Sequence, residues 1–208
     1  APGVPDLFLT SRSLMRRLLF ALLILALAGL AGFWMLTRPE RLPDDALAGL
    51  SGDAGRGEAI FWAGGCASCH AAPDAEGADR LVLAGGQRFA SPFGTFIAPN
   101  ISSDTGAGIG DWTALDLANA MQRGVSPDGR HYYPVFPYTS YVRAEPQDIV
   151  DLFAFLQTLP PASTADQPHE VSFPFNIRRG LGLWKQLYLR PGFVVDGASG
   201  SDASLSSR

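Results

Sequence analysis

The stretch Gly64-Gly65-Cys66-Ala67-Ser68-Cys69-His70 decides how the rest of the chain is read. Two thiols two residues apart, on one turn of chain, can each form a thioether to one vinyl group of a single porphyrin. The histidine directly after the second thiol then lies under the ring and offers an imidazole nitrogen to the iron. Cys66 and Cys69 are the two cysteines of the sequence, and His70 is one of three histidines. A structural disulfide, a thioredoxin-like redox pair and half a zinc site are the alternatives. A zinc site calls for a second Cys/His pair nearby, and a thioredoxin-like motif sits in a βαβ pattern; neither is legible. Covalent attachment of one haem c is therefore the expected chemistry, with Cys66 and Cys69 as thioether residues and His70 as proximal ligand.

Outward from this motif, Asp53–Trp62 reads as a helix with Asp53 as N-cap and Ile60 and Phe61 on one face; Gly64-Gly65 ends it and turns the chain into the motif. Residues 71–91 read as loop, and the prolines and glycines of 91–110 exclude a long helix. Asp111 or Thr113 caps a helix running to about Arg123, with Leu115, Leu117, Ala118 and Met121 on its apolar side and Gly124 as its stop. His131–Tyr141 (HYYPVFPYTSY) is too broken by proline for a strand or a helix, and reads as a stiff loop laid over a flat apolar ligand. Pro146 opens a last helix whose stripe Ile149, Leu152, Phe153, Leu156 ends at Pro160-Pro161. From Ala162 the chain reads as linker, with a short helix within 176–190 and a disordered Ser/Gly-rich tail over 197–208.

Upstream, Leu18–Leu36 carries no charge, and 19 residues at 1.5 Å each can just cross a hydrocarbon core of ~30 Å. Arg12, Arg16 and Arg17 precede it and Trp34 sits near its end. The excess of positive charge on that side puts the N-terminus in the cytoplasm and the remainder outside. A retained anchor is favoured; the rival is a cleaved signal peptide with a small-residue site at Ala26-Leu27-Ala28. Met15-Arg16-Arg17 resembles a natural start, so the residues before it are set aside as unstructured. The expected parts are thus a disordered 1–17, an anchor over 18–36, a polar linker over 37–52, a haem domain over 53–161, and a connector and tail over 162–208. The net charge of -4 gives no sign of a nucleic-acid partner.

The order helix, CxxCH, loops, helix, ligand loop, C-terminal helix is that of a class I cytochrome c, a mainly α fold. SPFGTFIAPNISSDTGAGIGDW, RGVSPDGRHYYPVFPYTSY, EPQDIVDLFAFL and FPFNIRRGLGLWKQLYLRPG resemble the first haem domain and following connector in the cytochrome c subunits of membrane-bound alcohol, gluconate and aldehyde dehydrogenases. The resemblance covers about Gly52 to Gly192, with one haem where such subunits often carry three. It implies electron transfer from a dehydrogenase toward quinone or a terminal oxidase, at a bacterial inner membrane with the haem domain in the periplasm. It implies no catalysis by the chain itself; the expected partners are a dehydrogenase subunit, a cytochrome complex or an oxidase, with the membrane held by the N-terminal helix.

Relatives place a distal Met in the aromatic loop or just after SY-x-R; this chain has Phe136 and Ala144 there. Met15 and Met35 belong to the N-terminal segment, so Met121 and His131 are the candidate sixth ligands, with His169 read as a solvated surface residue. Met121 reads equally as core filler and His131 as a hydrogen-bonding loop residue. Arg88, Trp112, Arg130, Tyr138 and Tyr141 are candidate donors to the haem carboxylates, which need such partners when buried. An open iron site (a gas sensor or peroxidase-like protein) and a mainly structural docking subunit are the alternative readings.

Overall fold

A computed structural model describes the backbone of residues 7–190 and, within the first helix, the side chains from residue 14 onward. The expected tail over 197–208 lies outside the described residues. The chain divides into two compact units, 1–38 and the residues from Pro39 onward.

In the first unit, α1 spans Leu7–Leu36. It begins well before the apolar run, so residues 7–13, expected to be unstructured, are helical. Once a long helix is nucleated, each added residue gains a hydrogen bond and few dihedrals are left to fix. The most apolar 18-residue window within Leu14–Leu36 has a mean hydropathy of 2.5, and that stretch of helix is long and apolar enough to cross a membrane. Near its end the Thr37 hydroxyl donates to the Phe33 carbonyl at 2.6 Å, and Pro39 cannot extend the helix.

The second unit is organised on a crossing of α2 (Ala54–Ala63) and α6 (Pro146–Leu156). The Asp53 carboxylate accepts from the Arg56 amide as the sequence predicts, and Pro146 occupies the first turn of α6, where no intrahelical donor is needed. The crossing is close because of Gly57, where a Cβ would collide with the carbonyl oxygen of Asp151. Phe61 is fully buried there, its ring centroid 5.3 Å from that of Phe155. Leu83, Leu117, Ala118, Ile149, Leu152 and Leu156 complete the core.

The joint also carries a buried charge. Asp151, 1 % exposed, accepts from the Asp53 amide at 2.7 Å, from Arg56 Nε and Nη2 at 2.7 and 2.9 Å, and from Gln147 Nε2 at 2.9 Å. These donors, Arg56 first, hold its pKa down at about 2. A buried carboxylate is tolerated because its lone pairs are occupied.

Thr113 caps α4 (Ala114–Ala118) in a reciprocal box with Asp116, and the helix continues as a π-turn over Asn119–Arg123 ended by Gly124. Within the stretch read as linker over 37–52, residues 41–47 are docked: the Leu42 amide donates to Asn119 Oδ1 at 2.8 Å, Arg41 pairs with Asp116 at 3.0 Å, and Leu42 and Leu47 pack on the core.

The segment after Pro161 is docked as well. Strands β1 (Arg88–Ser91) and β2 (Gly94–Ile97) form an antiparallel hairpin, and β3 (Glu170–Val171) adds to β2 with Thr95 opposite Glu170. Asn100 Nδ2 donates to the carbonyls of Ala162 and Thr164 at 2.6 and 2.9 Å. These strands were not legible, because two-to-four-residue strands are made by cross-chain pairing and carry no periodicity of their own. A short 3₁₀ turn, Arg178–Gly180, leads into α7 (Leu181–Tyr188), where the sequence places a short helix. The aromatic loop is mostly irregular, but Tyr138–Tyr141 closes one helical turn, α5, immediately after its last proline.

Candidate functional site

The motif forms its own short helix, α3 (Cys66–His70), entered through Gly65 in the left-handed region at φ 70°. Both cysteines are free and partly buried. Burial pushes the Cys66 thiol up to about 11, so it stays protonated at neutral pH. One turn of helix places Cys66, Cys69 and His70 side by side, as attachment to a single planar group requires.

His70 is oriented from a distance of 29 residues. Its Nδ1 lies 2.9 Å from the Pro99 carbonyl oxygen, which can only accept, so Nδ1 carries the proton and Nε2 is the lone-pair nitrogen. Burial also lowers the imidazole pKa, favouring the neutral form that binds metal. Pro99 is held from both sides. The Gly85 amide donates to the His70 carbonyl at 2.8 Å, and a Cβ at Gly85 would stand 2.6 Å from Ala98 and Pro99 backbone atoms, at a φ of 72° that disfavours any side chain. Asn100, the next residue, is tied through its amide to Asp166 at 2.7 Å and through its side chain to Ala162 and Thr164. The segment that reads as linker therefore braces the carbonyl that orients the histidine.

The distal segment returns to the same turn. The Tyr141 hydroxyl donates to the Gly64 carbonyl at 2.7 Å, and its ring centroid is 5.8 Å from that of Phe136. Burial, with the thiols of Cys66 and Cys69 adding to it, pushes Tyr141 up to about 12. Tyr141 is thereby tied to the attachment turn. Cys66, Phe136, Tyr141 and Ala144 all pack against the core cluster that contains Ala67 and Met121. Gln122 Nε2 donates to the Ala144 carbonyl at 2.8 Å and fixes that residue against the π-turn.

His131 is 3 % exposed. Its Nδ1 is 3.0 Å from Lys185 Nζ, which also donates to the carbonyls of Arg123 and Gly124 at 2.7 and 2.6 Å. His169 is not a solvated surface residue. Its Nδ1 accepts from the Ile97 amide at 3.1 Å, and its ring stands edge-on to Phe96 and Tyr133. It lies half-buried beside the β3 pairing, which its neighbours in sequence do not announce.

The five carboxylate-donor candidates separate. Arg88 is engaged by Glu170 at 2.6 Å and Arg130 by Asp128 at 2.5 Å, both at the surface. Trp112 packs against the core with its indole partly buried. Tyr138 is fully buried, and its Oη has no protein hydrogen-bond partner among the described residues. The same holds for Arg123 Nε, a group the sequence did not single out. A buried donor left unmade costs about 1–3 kcal/mol, so an acceptor from outside the chain is expected. Free adjacent thiols, a neutral histidine with an open Nε2, and unpaired buried donors fit a porphyrin with two carboxylates. Pro99, Gly85, Arg123 and Lys185 were missed by sequence reasoning; only a proline downstream of the motif gave any signal.

This is a small, mainly helical domain organised around a CxxCH turn. The cytochrome c family model matches residues 54–160, and the chain belongs to the cytochrome c family. It is 59 % identical over 184 residues to a protein of Cereibacter sphaeroides named diheme cytochrome c-type, covering 88 % of this chain and 62 % of that one. It is 35 % identical to the fructose dehydrogenase cytochrome subunit of Gluconobacter japonicus, over 62 % of this chain and 26 % of that protein. With the cytochrome c subunit of the quinone-dependent alcohol dehydrogenase of Gluconobacter oxydans it shares 32 % identity, over 73 % of this chain and 30 % of the subunit. The chain thus spans less than two thirds of the length of each of these relatives.

Proposed function

We propose that this chain is an electron-transfer cytochrome that serves a dehydrogenase or respiratory complex, held to a bacterial inner membrane by α1 with its haem domain in the periplasm. The observation that carries the reading is the His70–Pro99 hydrogen bond beside two free thiols on one helical turn. Bound haem would supply one-electron chemistry at its iron. Cys66 and Cys69 hold it by thioethers, and with two cysteines in the sequence this stretch takes one haem. His70 presents Nε2 as the proximal ligand, its tautomer and ring plane set by Pro99. Tyr138 and Arg123, whose buried donors find no partner among the described residues, would donate to the haem carboxylates, and Trp112 would help to hold the ring. No residue moves a proton or forms a bond to substrate in this role; the chain excludes water, fixes the ligand and keeps a redox centre near its partners. A dehydrogenase subunit as electron donor follows from the names of the relatives alone.

On the distal side, Met121 belongs to the cluster against which Cys66 and Tyr141 pack, whereas His131 is engaged by Lys185. The geometry favours Met121 over His131 as sixth ligand, reversing the order of preference that proximity to the aromatic loop suggests.

The test has two parts. A haem-stained denaturing gel of the Cys66→Ser/Cys69→Ser variant should show no covalent haem; a full-strength band overturns the reading. The oxidised wild type should show the sulfur-to-iron charge-transfer band in the red and lose it in Met121→Leu. No band, with carbon monoxide binding rapidly to the ferrous protein, would replace the electron carrier by an open-iron protein.

A further inference from the structure

The chain segregates its charge. Residues 40–170 carry seventeen carboxylates and seven arginines, whereas residues 171–195 carry Arg178, Arg179 and Arg190, besides the buried Lys185, and no carboxylate. The same basic stretch holds the large apolar side chains that the second unit leaves most open. Phe173 is 77 % exposed and Leu187 65 %, with Phe175, Ile177, Leu183 and Tyr188 also exposed. Leu183 and Leu187 are four residues apart on α7 and share a face. Phe175 meets Phe93 of the β1–β2 turn, also exposed, with ring centroids 4.8 Å apart. Neither the haem site nor the core uses these rings.

We propose that this basic, aromatic face docks on an anionic phospholipid surface. Aromatic and aliphatic side chains projecting from a loop and a short helix, flanked by cations, suit the boundary between headgroups and acyl chains. Cations near an anionic leaflet are attracted to it, while the seventeen carboxylates of residues 40–170 are repelled, so one surface charge both binds the domain and orients it. A helix apolar enough to cross a membrane lies in the same chain and would keep lipid at high local concentration. A protein partner would equally cover apolar rings, but the absence of carboxylates over 25 successive residues is what an anionic surface selects.

The haem-loaded full chain is placed in nanodiscs of phosphatidylcholine alone or with added phosphatidylglycerol, and amide hydrogen exchange is followed. Exchange over residues 172–190 should slow about tenfold in the phosphatidylglycerol discs, consistent with loss of local opening. It should return toward the phosphatidylcholine rate at high salt, as screening shortens the reach of surface charge to a few ångströms. The Phe173→Ser/Phe175→Ser/Leu187→Ser variant should lose the protection while its haem spectrum and its exchange over 54–63 stay unchanged. Equal exchange in the two disc types overturns the proposal. So does protection that arises only when a dehydrogenase or another haem protein is added, which would make the face a protein interface. Either result leaves the electron-carrier reading intact, because the haem spectrum is read in the same samples.

Discussion

Two buried charges hold two joints of this molecule. Asp151 sits where α2 crosses α6 and accepts from a guanidinium, a backbone amide and a side-chain amide. Lys185 sits where α7 meets the end of the π-turn and donates to two backbone carbonyls and toward His131. The anion has a full cationic partner and its pKa falls to about 2. The cation meets dipoles, and burial pushes its pKa down to about 7. Asp151 thus belongs to a joint whose apolar parts already fit at backbone distance. Lys185 is a peg between the connector helix α7 and the end of the π-turn. The helix crossing is a condition of the fold, and the peg is an attachment to it.

The largest test of that distinction is at Gly57. A leucine there cannot share space with the Asp151 backbone, so Gly57→Leu should force α2 and α6 apart. The variant should lose its cooperative thermal transition and most of its covalent haem, measured by circular dichroism and haem staining.

Acid probes the same joint more gently. The Asp151 carboxylate titrates lower in the folded chain than in the unfolded one, so the unfolded state binds its proton first as pH falls. The stability it contributes is full above about pH 4 and is lost as pH falls through about 2. Thermal midpoints followed at the haem absorbance should drop across that window. In Asp151→Asn they should be lower at neutral pH and flatter below pH 4. A variant with an unchanged acid profile would remove Asp151 from the joint.

The smallest effect is expected at the peg. Lys185→Met keeps much of the aliphatic stem and leaves the Arg123 and Gly124 carbonyls without these donors, at about 1–3 kcal/mol. Amide exchange should quicken over 181–188 and around Gly124, with α2 and α6 unaffected. A uniform loss of protection through the whole domain would show that the connector is part of the core.

Local chemistry wrote what was legible. The CxxCH turn, the Asp53 and Thr113 caps, Pro146 in the first turn of α6 and the apolar stripe Ile149–Leu156 each specify themselves within a few residues. An unbroken apolar run also placed the long first helix, though not the turns before it, which continue a helix already formed. Elsewhere the same local logic failed. His169 looked solvated because its neighbours are polar, but it lies half-buried beside a β-pairing across 75 residues and accepts from the Ile97 amide. Residues 37–52 and 162–171 read as linkers because proline and polar side chains break their periodicity, yet Leu42, Asn100 and Asn119 draw them onto the domain.

The sequence by itself determined the CxxCH turn and the two helices, α2 and α6, that frame the domain. A turn needs only the right residues a few positions apart, and a helix needs only its stripe and its caps. Tertiary structure alone decided which nitrogen of His70 carries the proton, through a carbonyl 29 residues away. It also decided that His131 answers to Lys185, and that a connector braces the loop that orients the ligand. Those are hydrogen bonds between groups far apart in the chain, and no local pattern encodes a partner that only folding brings near.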